Sequence, residues 1–140
     1  MCLTLQMSSQ KPVLVLALEN EDSLSTMAGM LWLKGCNVHK AKTATECLEQ
    51  IKNLDAMVDV VITSSEIALY RDSMLITNVK KMNIDIKNLV IGDENTDKTM
   101  ILDYGADELA LKPMSPENTA DKVLMLLARD KVAENRSRPS

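Results

Sequence analysis

The 140-residue chain has no phenylalanine, one tryptophan and two tyrosines. An aromatic core is excluded, so leucine, isoleucine, valine and the ten methionines must do the packing. Methionine fills irregular gaps and also suits adaptable binding surfaces; core filling is the plainer reading for most of these. Basic residues are outnumbered, 16 Lys and Arg against 20 Asp and Glu, for a net charge of −4. That balance lacks the clustered basic face that nucleic-acid binding calls for. Long apolar runs are missing too: Val13 to Leu18 and Val123 to Ala128 are the longest, far too short to span a bilayer. Residues 1–10 show no basic segment followed by an apolar one, which argues against a secretory signal. Cys2, Cys36 and Cys47 are odd in number, widely spaced and form no C-x-x-C, as expected of reduced thiols in a cytoplasmic protein. The lone histidine, His39, has no ligand partner nearby in sequence. Neither a G-x-G-x-x-G motif nor a P-loop occurs, and acids rather than glycines follow the first apolar run, which argues against a nucleotide or flavin site.

What remains is ordinary globular material. Apolar residues make up 46% and charged residues 26%, and the length suits one domain with a full core. Residues 1–11 read as a flexible N-terminus, 12–131 as the domain and 132–140 as a disordered polar tail. Val13 to Leu18 is a continuous apolar run, the mark of a strand buried on both faces. Glu19-Asn20-Glu21-Asp22 opens a helix that runs to about Lys34 and stops at Gly35, with Trp32 off its buried stripe. Asn37 to Ala41 reads as a short edge strand. Thr43 and Glu46 form a capping box for a helix to about Asn53. Val60 to Thr63 is a β-branched strand, Glu66 to Met82 a helical stretch, and Leu89 to Ile91 another strand. Thr96 to Tyr104 is helical and stops at Gly105, and Glu108 to Leu111 is the last strand. Ser115 and Pro116 then start a helix that runs to about Asp130, as N-cap and first-turn residue.

Strict alternation of strands and helices predicts a doubly wound α/β fold: a five-stranded parallel sheet with helices on both faces. In such sheets the working groups lie beyond the carboxyl ends of the strands. The residues to weigh are therefore those near Leu18, Ser64, Gly92 and Lys112.

The stretch Gly105-Ala106-Asp107-Glu108-Leu109-Ala110-Leu111-Lys112-Pro113 resembles the end of a response-regulator receiver domain, which has a Gly-Ala-Asp stretch, a short fifth strand and then Lys-Pro. The likeness extends over residues 12 to 131 and implies the flavodoxin-like strand order 2-1-3-4-5. It also implies a site. In the family, two acids after the first strand and an aspartate after the third hold Mg²⁺, and that aspartate takes a phosphoryl group from a histidine kinase. A Ser or Thr after the fourth strand and a lysine after the fifth read the phosphate.

Carried over by position, the acid pair falls on Leu18 and Glu19 and the phosphoacceptor on Ser64. The hydroxyl switch falls on Gly92, the aromatic switch on Leu109, and the lysine and turn on Lys112 and Pro113. Only Lys112 and Pro113 match outright; Glu19 matches in charge. A serine hydroxyl cannot form an acyl phosphate and is a weak nucleophile without an activating base. Mg²⁺ wants an array of carboxylate oxygens, so its binding is expected to be weak or absent. Asp59 is the rival acceptor, but it precedes its strand instead of following it. Glu21 and Asp22 would serve as the acid pair only if the first strand were longer than usual.

The expectation is a stand-alone, atypical receiver domain, not an enzyme and without a cofactor, that binds a signalling protein without aspartyl phosphorylation. Lys112 is expected to pair with Glu19, and the resemblance implies a cis bond before Pro113. Met100, Tyr104, Leu109 and Met125 are the candidate partner face, with a homodimer through it as a further expectation. Two alternatives stand beside this reading. One is a switch modified at a non-aspartate site such as Ser64; the other is a small flavodoxin-like ligand-binding domain.

Overall fold

The computed structural model describes residues 11–69, 75–112 and 115–137, with side chains of the last stretch described to residue 128. The five strands are β1 (Val13–Ala17), β2 (Asn37–Ala41), β3 (Val60–Ser64), β4 (Lys87–Gly92) and β5 (Glu108–Leu111). All pairings are parallel and the order is β2-β1-β3-β4-β5. The chain thus has the doubly wound fold that its alternation predicts. The helices are α1 (Glu21–Leu33), α2 (Ala44–Asn53), α3 (Ser65–Leu69), α4 (Leu75–Met82), α5 (Lys98–Asp103) and α6 (Pro116–Ser137).

Successive strand residues point to opposite faces, and the core divides accordingly. Leu14, Leu16, Val60, Ile62, Leu89 and Ile91 pack against Leu24, Met27 and Leu31 of α1 and Val123 and Leu126 of α6. On the other face, Val15, Ala17 and Val61 meet Cys47 and Ile51 of α2 and Leu75 and Val79 of α4. Val90 and Leu109 meet Ala68 of α3, Ile76 of α4 and Ile101 of α5. Each fully buried aliphatic side chain contributes about 1.5–3 kcal/mol relative to exposure, so the apolar strands alone commit the chain to this sandwich.

Caps fix where the helices begin and end. Asn20 Oδ1 accepts from Ser23 N at 2.9 Å and starts α1. At its end Gly35 takes φ 94°, while Gly35 N donates to Trp32 O and Cys36 N to Leu31 O. That paired closure needs the left-handed conformation that glycine adopts without a Cβ penalty. Thr43 Oγ1 accepts from Glu46 N as expected, but Glu46 reaches back to Lys42 N, one residue before the cap.

Some ends differ from the sequence reading. β1 stops at Ala17. The stretch Glu66 to Met82 contains two helices, α3 and α4, and residues 70–74 lie outside the described residues. α5 starts at Lys98, because Asp97 Oδ1 caps it by accepting from Met100 N and Thr96 is engaged in the preceding turn. α6 runs to Ser137, through residues 132–137 of the expected tail. That stretch includes the good helix formers Ala133, Glu134 and Arg136 and meets no glycine or proline before Pro139. Among the described residues no helix is long and apolar enough to cross a membrane.

Candidate functional site

The carboxyl ends of the four strands β1, β3, β4 and β5 bring the carried-over positions together. Ser64 ends β3 and is only 1% exposed. Its hydroxyl donates to Glu19 Oε1 at 2.8 Å and accepts from Ile67 N at 3.2 Å. Ser64 is therefore both the partner of Glu19 and the cap of the first turn of α3. Both bonding directions of the hydroxyl are used within the fold. Leu18 is buried in the core on the α1 side, so its position supplies hydrocarbon beside Glu19.

Lys112 departs from expectation. Its backbone N donates to Gly92 O at 2.7 Å, which holds the end of β5 against β4. Its ammonium stands 3.8 Å from Glu66 Oε1, in the first turn of α3, and does not pair with Glu19. Glu19 is instead engaged by Ser64. Pro113 lies outside the described residues.

Gly92, the position carried over for the hydroxyl, is closely covered. A Cβ added at Gly92 would lie 2.5 Å from Thr96 Oγ1. Thr96 folds back over Gly92: its hydroxyl accepts from Asp93 N at 3.0 Å and donates to Asp93 Oδ1 at 3.3 Å. A side chain at residue 92 would have to displace it. The Asp-x-x-Thr spacing was the available signal for this turn, and an Asp or Thr so placed often bonds its own backbone.

Leu109 is 9% exposed and packs with Val90 and Ile101. It belongs to the core, not to the surface on which the sequence reading placed it. Met100 is half-buried, whereas Tyr104 and Met125 are exposed, as is Leu111 at the end of the edge strand β5.

A magnesium site of the family's kind does not fit these residues. Hard cations need several oxygen donors. Leu18 has none, Ser64 is neutral and committed, and among the described residues no group of three or more His, Cys, Asp or Glu could hold a metal. Nucleophilic chemistry is no better served. His39 sits in the middle of the edge strand β2, opposite Val15 and away from Ser64. Cys36 and Cys47 are fully buried, and burial pushes the Cys47 thiol up to about 12. Burial likewise raises Cys36, with the Asp59 charge adding to it. Neither is a thiolate at neutral pH.

Beside Ser64 the surface opens into a cleft of about 550 Å³ between α1 and α6. Leu18, Met27 and Ile91 give it an apolar floor. Glu19, Asn20, Ser23, Ser64, Lys112 and Thr119 supply its polar lining. Sequence reasoning found Leu18, Glu19, Ser64 and Lys112 but not Met27, Ile91 or Thr119, which look like ordinary core positions in their elements.

No family model matches the chain, and no curated protein matches it in sequence. Solved structures do. A response regulator receiver domain protein from Clostridium thermocellum superposes with a TM-score of 0.76 at 18% identity, over 87% of this chain and 98% of its own. A CheY-like receiver domain protein from Methanospirillum hungatei gives 0.79 at 18% identity, over 89% and 99%. A chemotaxis response regulator of Vibrio cholerae gives 0.72 at 18%, over 86% and 99%. The chain has the fold of these receiver domains across nearly all of its length.

Proposed function

We propose that this protein is an atypical receiver domain of two-component-type signalling that works by binding a protein partner, without phosphorylation of an aspartate. The observation that carries the reading is the Ser64–Glu19 hydrogen bond of 2.8 Å. It puts a neutral, buried hydroxyl at the carboxyl end of β3 and uses it to hold the neighbouring acid. An acyl phosphate cannot form there, and the one base on the hydroxyl, the Glu19 carboxylate, is far too weak to make serine a good nucleophile. Magnesium binding is weak or absent on the same grounds. Catalysis is not part of the role. The partner binds on the face around the edge strand β5, where Tyr104, Leu111 and Met125 expose apolar surface, and a homodimer through this face is a second form of the same contact.

The test is an intact mass after incubation with acetyl phosphate and Mg²⁺. The expected mass is unchanged. A species heavier by about 80 Da, the mass of one phosphoryl group, that disappears in Ser64→Ala would overturn the reading in favour of a modified Ser64.

A further inference from the structure

The cleft beside Ser64 has a composition that a phosphate-reading pocket would not need. Its floor is hydrocarbon from Leu18, Met27 and Ile91, and its one carboxylate is Glu19. One oxygen of that carboxylate accepts from Ser64, and among the described residues no donor reaches the other. The cation that lines the cleft, Lys112, is 3.8 Å from Glu66 and is balanced by it. Lys42 is likewise balanced by Glu21 at 3.4 Å. Asp22, in the first turn of α1, adds a further exposed acid at this end.

The two helices that line the cleft, α1 and α6, point their amino ends here, which in general favours anions. Both ends are already compensated. Asn20 caps α1 and Glu21 and Asp22 sit in its first turn; Ser115 caps α6, accepting from Asn118 N at 3.0 Å, with Glu117 in the first turn. The uncompensated charge at the cleft is therefore negative. A volume of about 550 Å³ is ample for one long side chain and its flanking backbone.

We propose that this cleft seats a lysine side chain presented by the protein partner, its four-carbon stem on the apolar floor and its ammonium on the second oxygen of Glu19. The proposal rests on the protein-binding reading and names the chemistry of the partner. Lysine side chains bury their stems on apolar surface while keeping the charge at a polar rim. An ammonium needs only one oxygen, whereas arginine's planar fork is best matched by two, and Ser64 already occupies one. Charge complementarity across such a contact sets the choice of partner more than the affinity.

The test uses n-butylammonium, which is the lysine side chain itself, against butyrate and n-butanol at constant ionic strength. Methyl resonances of Leu18, Met27 and Ile91 report binding to the full chain. Butylammonium is expected to give saturable shifts that butyrate and butanol do not match. Glu19→Gln is expected to weaken it about two- to fivefold, the range of an exposed ion pair. Ser23→Trp, at an exposed position on the cleft wall, is expected to abolish the shifts with the fold intact. Equal binding of butyrate or butanol, or an unchanged affinity in Glu19→Gln, would overturn the proposal. Intact mass after acetyl phosphate treatment is read on the same sample. An unmodified protein that ignores butylammonium sinks only the lysine seat; a phosphorylated one sinks the reading beneath it.

Discussion

Two lysine–carboxylate pairs sit at opposite ends of the sheet, and they are built differently. At the amino end, Lys80 Nζ is 3.0 Å from Asp107 Oδ2 and also donates to Ile86 O at 2.7 Å, with side chains only 16% and 26% exposed. Asp107 Oδ2 in turn accepts from Asn88 N at 2.7 Å, joining α4 to β4 and β5. At the carboxyl end, Lys112 and Glu66 stand 3.8 Å apart and are half exposed, at 51% and 53%. The first pair is fixed by several donors and acceptors at once. The second is held by one loose contact. Ion pairs in water contribute about 0–1 kcal/mol, whereas breaking a desolvated, multiply bonded one leaves a stranded charge and costs far more. Stability therefore explains Asp107 but not the Lys112 side chain.

The comparison can be broken by substitution. The largest effect is expected from Asp107→Ala, which strips Asn88 N of its acceptor and Lys80 of its counter-charge and should cost about 2–4 kcal/mol in urea unfolding. Next comes Gly92→Ala, whose Cβ would press on Thr96; a cost of about 1–3 kcal/mol is expected, partly recovered when Thr96→Gly is added. Ser64→Ala removes the bond to Glu19 and the cap to Ile67 N, for about 1–2 kcal/mol. Lys112→Ala should change stability by less than about 0.5 kcal/mol. If Lys112→Ala cost as much as Asp107→Ala, the two ends would be equivalent and Lys112 would be structural.

The same contrast marks what the residues reveal in order along the chain. Continuous apolar runs, the Thr43 cap and Gly35 located strands and helix ends, because these depend on neighbours a few residues away. β2 and β5 fall on the expected residues, Asn37–Ala41 and Glu108–Leu111. Ser64, Glu19 and Lys112 were placed at one end of the sheet for the same reason. Their partners were not legible. Lys112 meets Glu66 while Glu19 is held by Ser64, and that depends on side-chain geometry across neighbouring strands. Leu109 followed the strand alternation into the core, although its position suggested a surface switch. The cleft was invisible because Met27 and Thr119 become neighbours only when α1 and α6 pack side by side.

The central claim is that the carboxyl end of the sheet carries no phosphoryl chemistry. Amide spectra of the native protein with and without Mg²⁺ and acetyl phosphate test it most directly. The account predicts superimposable spectra at residues 18–20, 64–66 and 92–96. Saturable shifts confined to those residues, with phosphate retained on the protein, would contradict it.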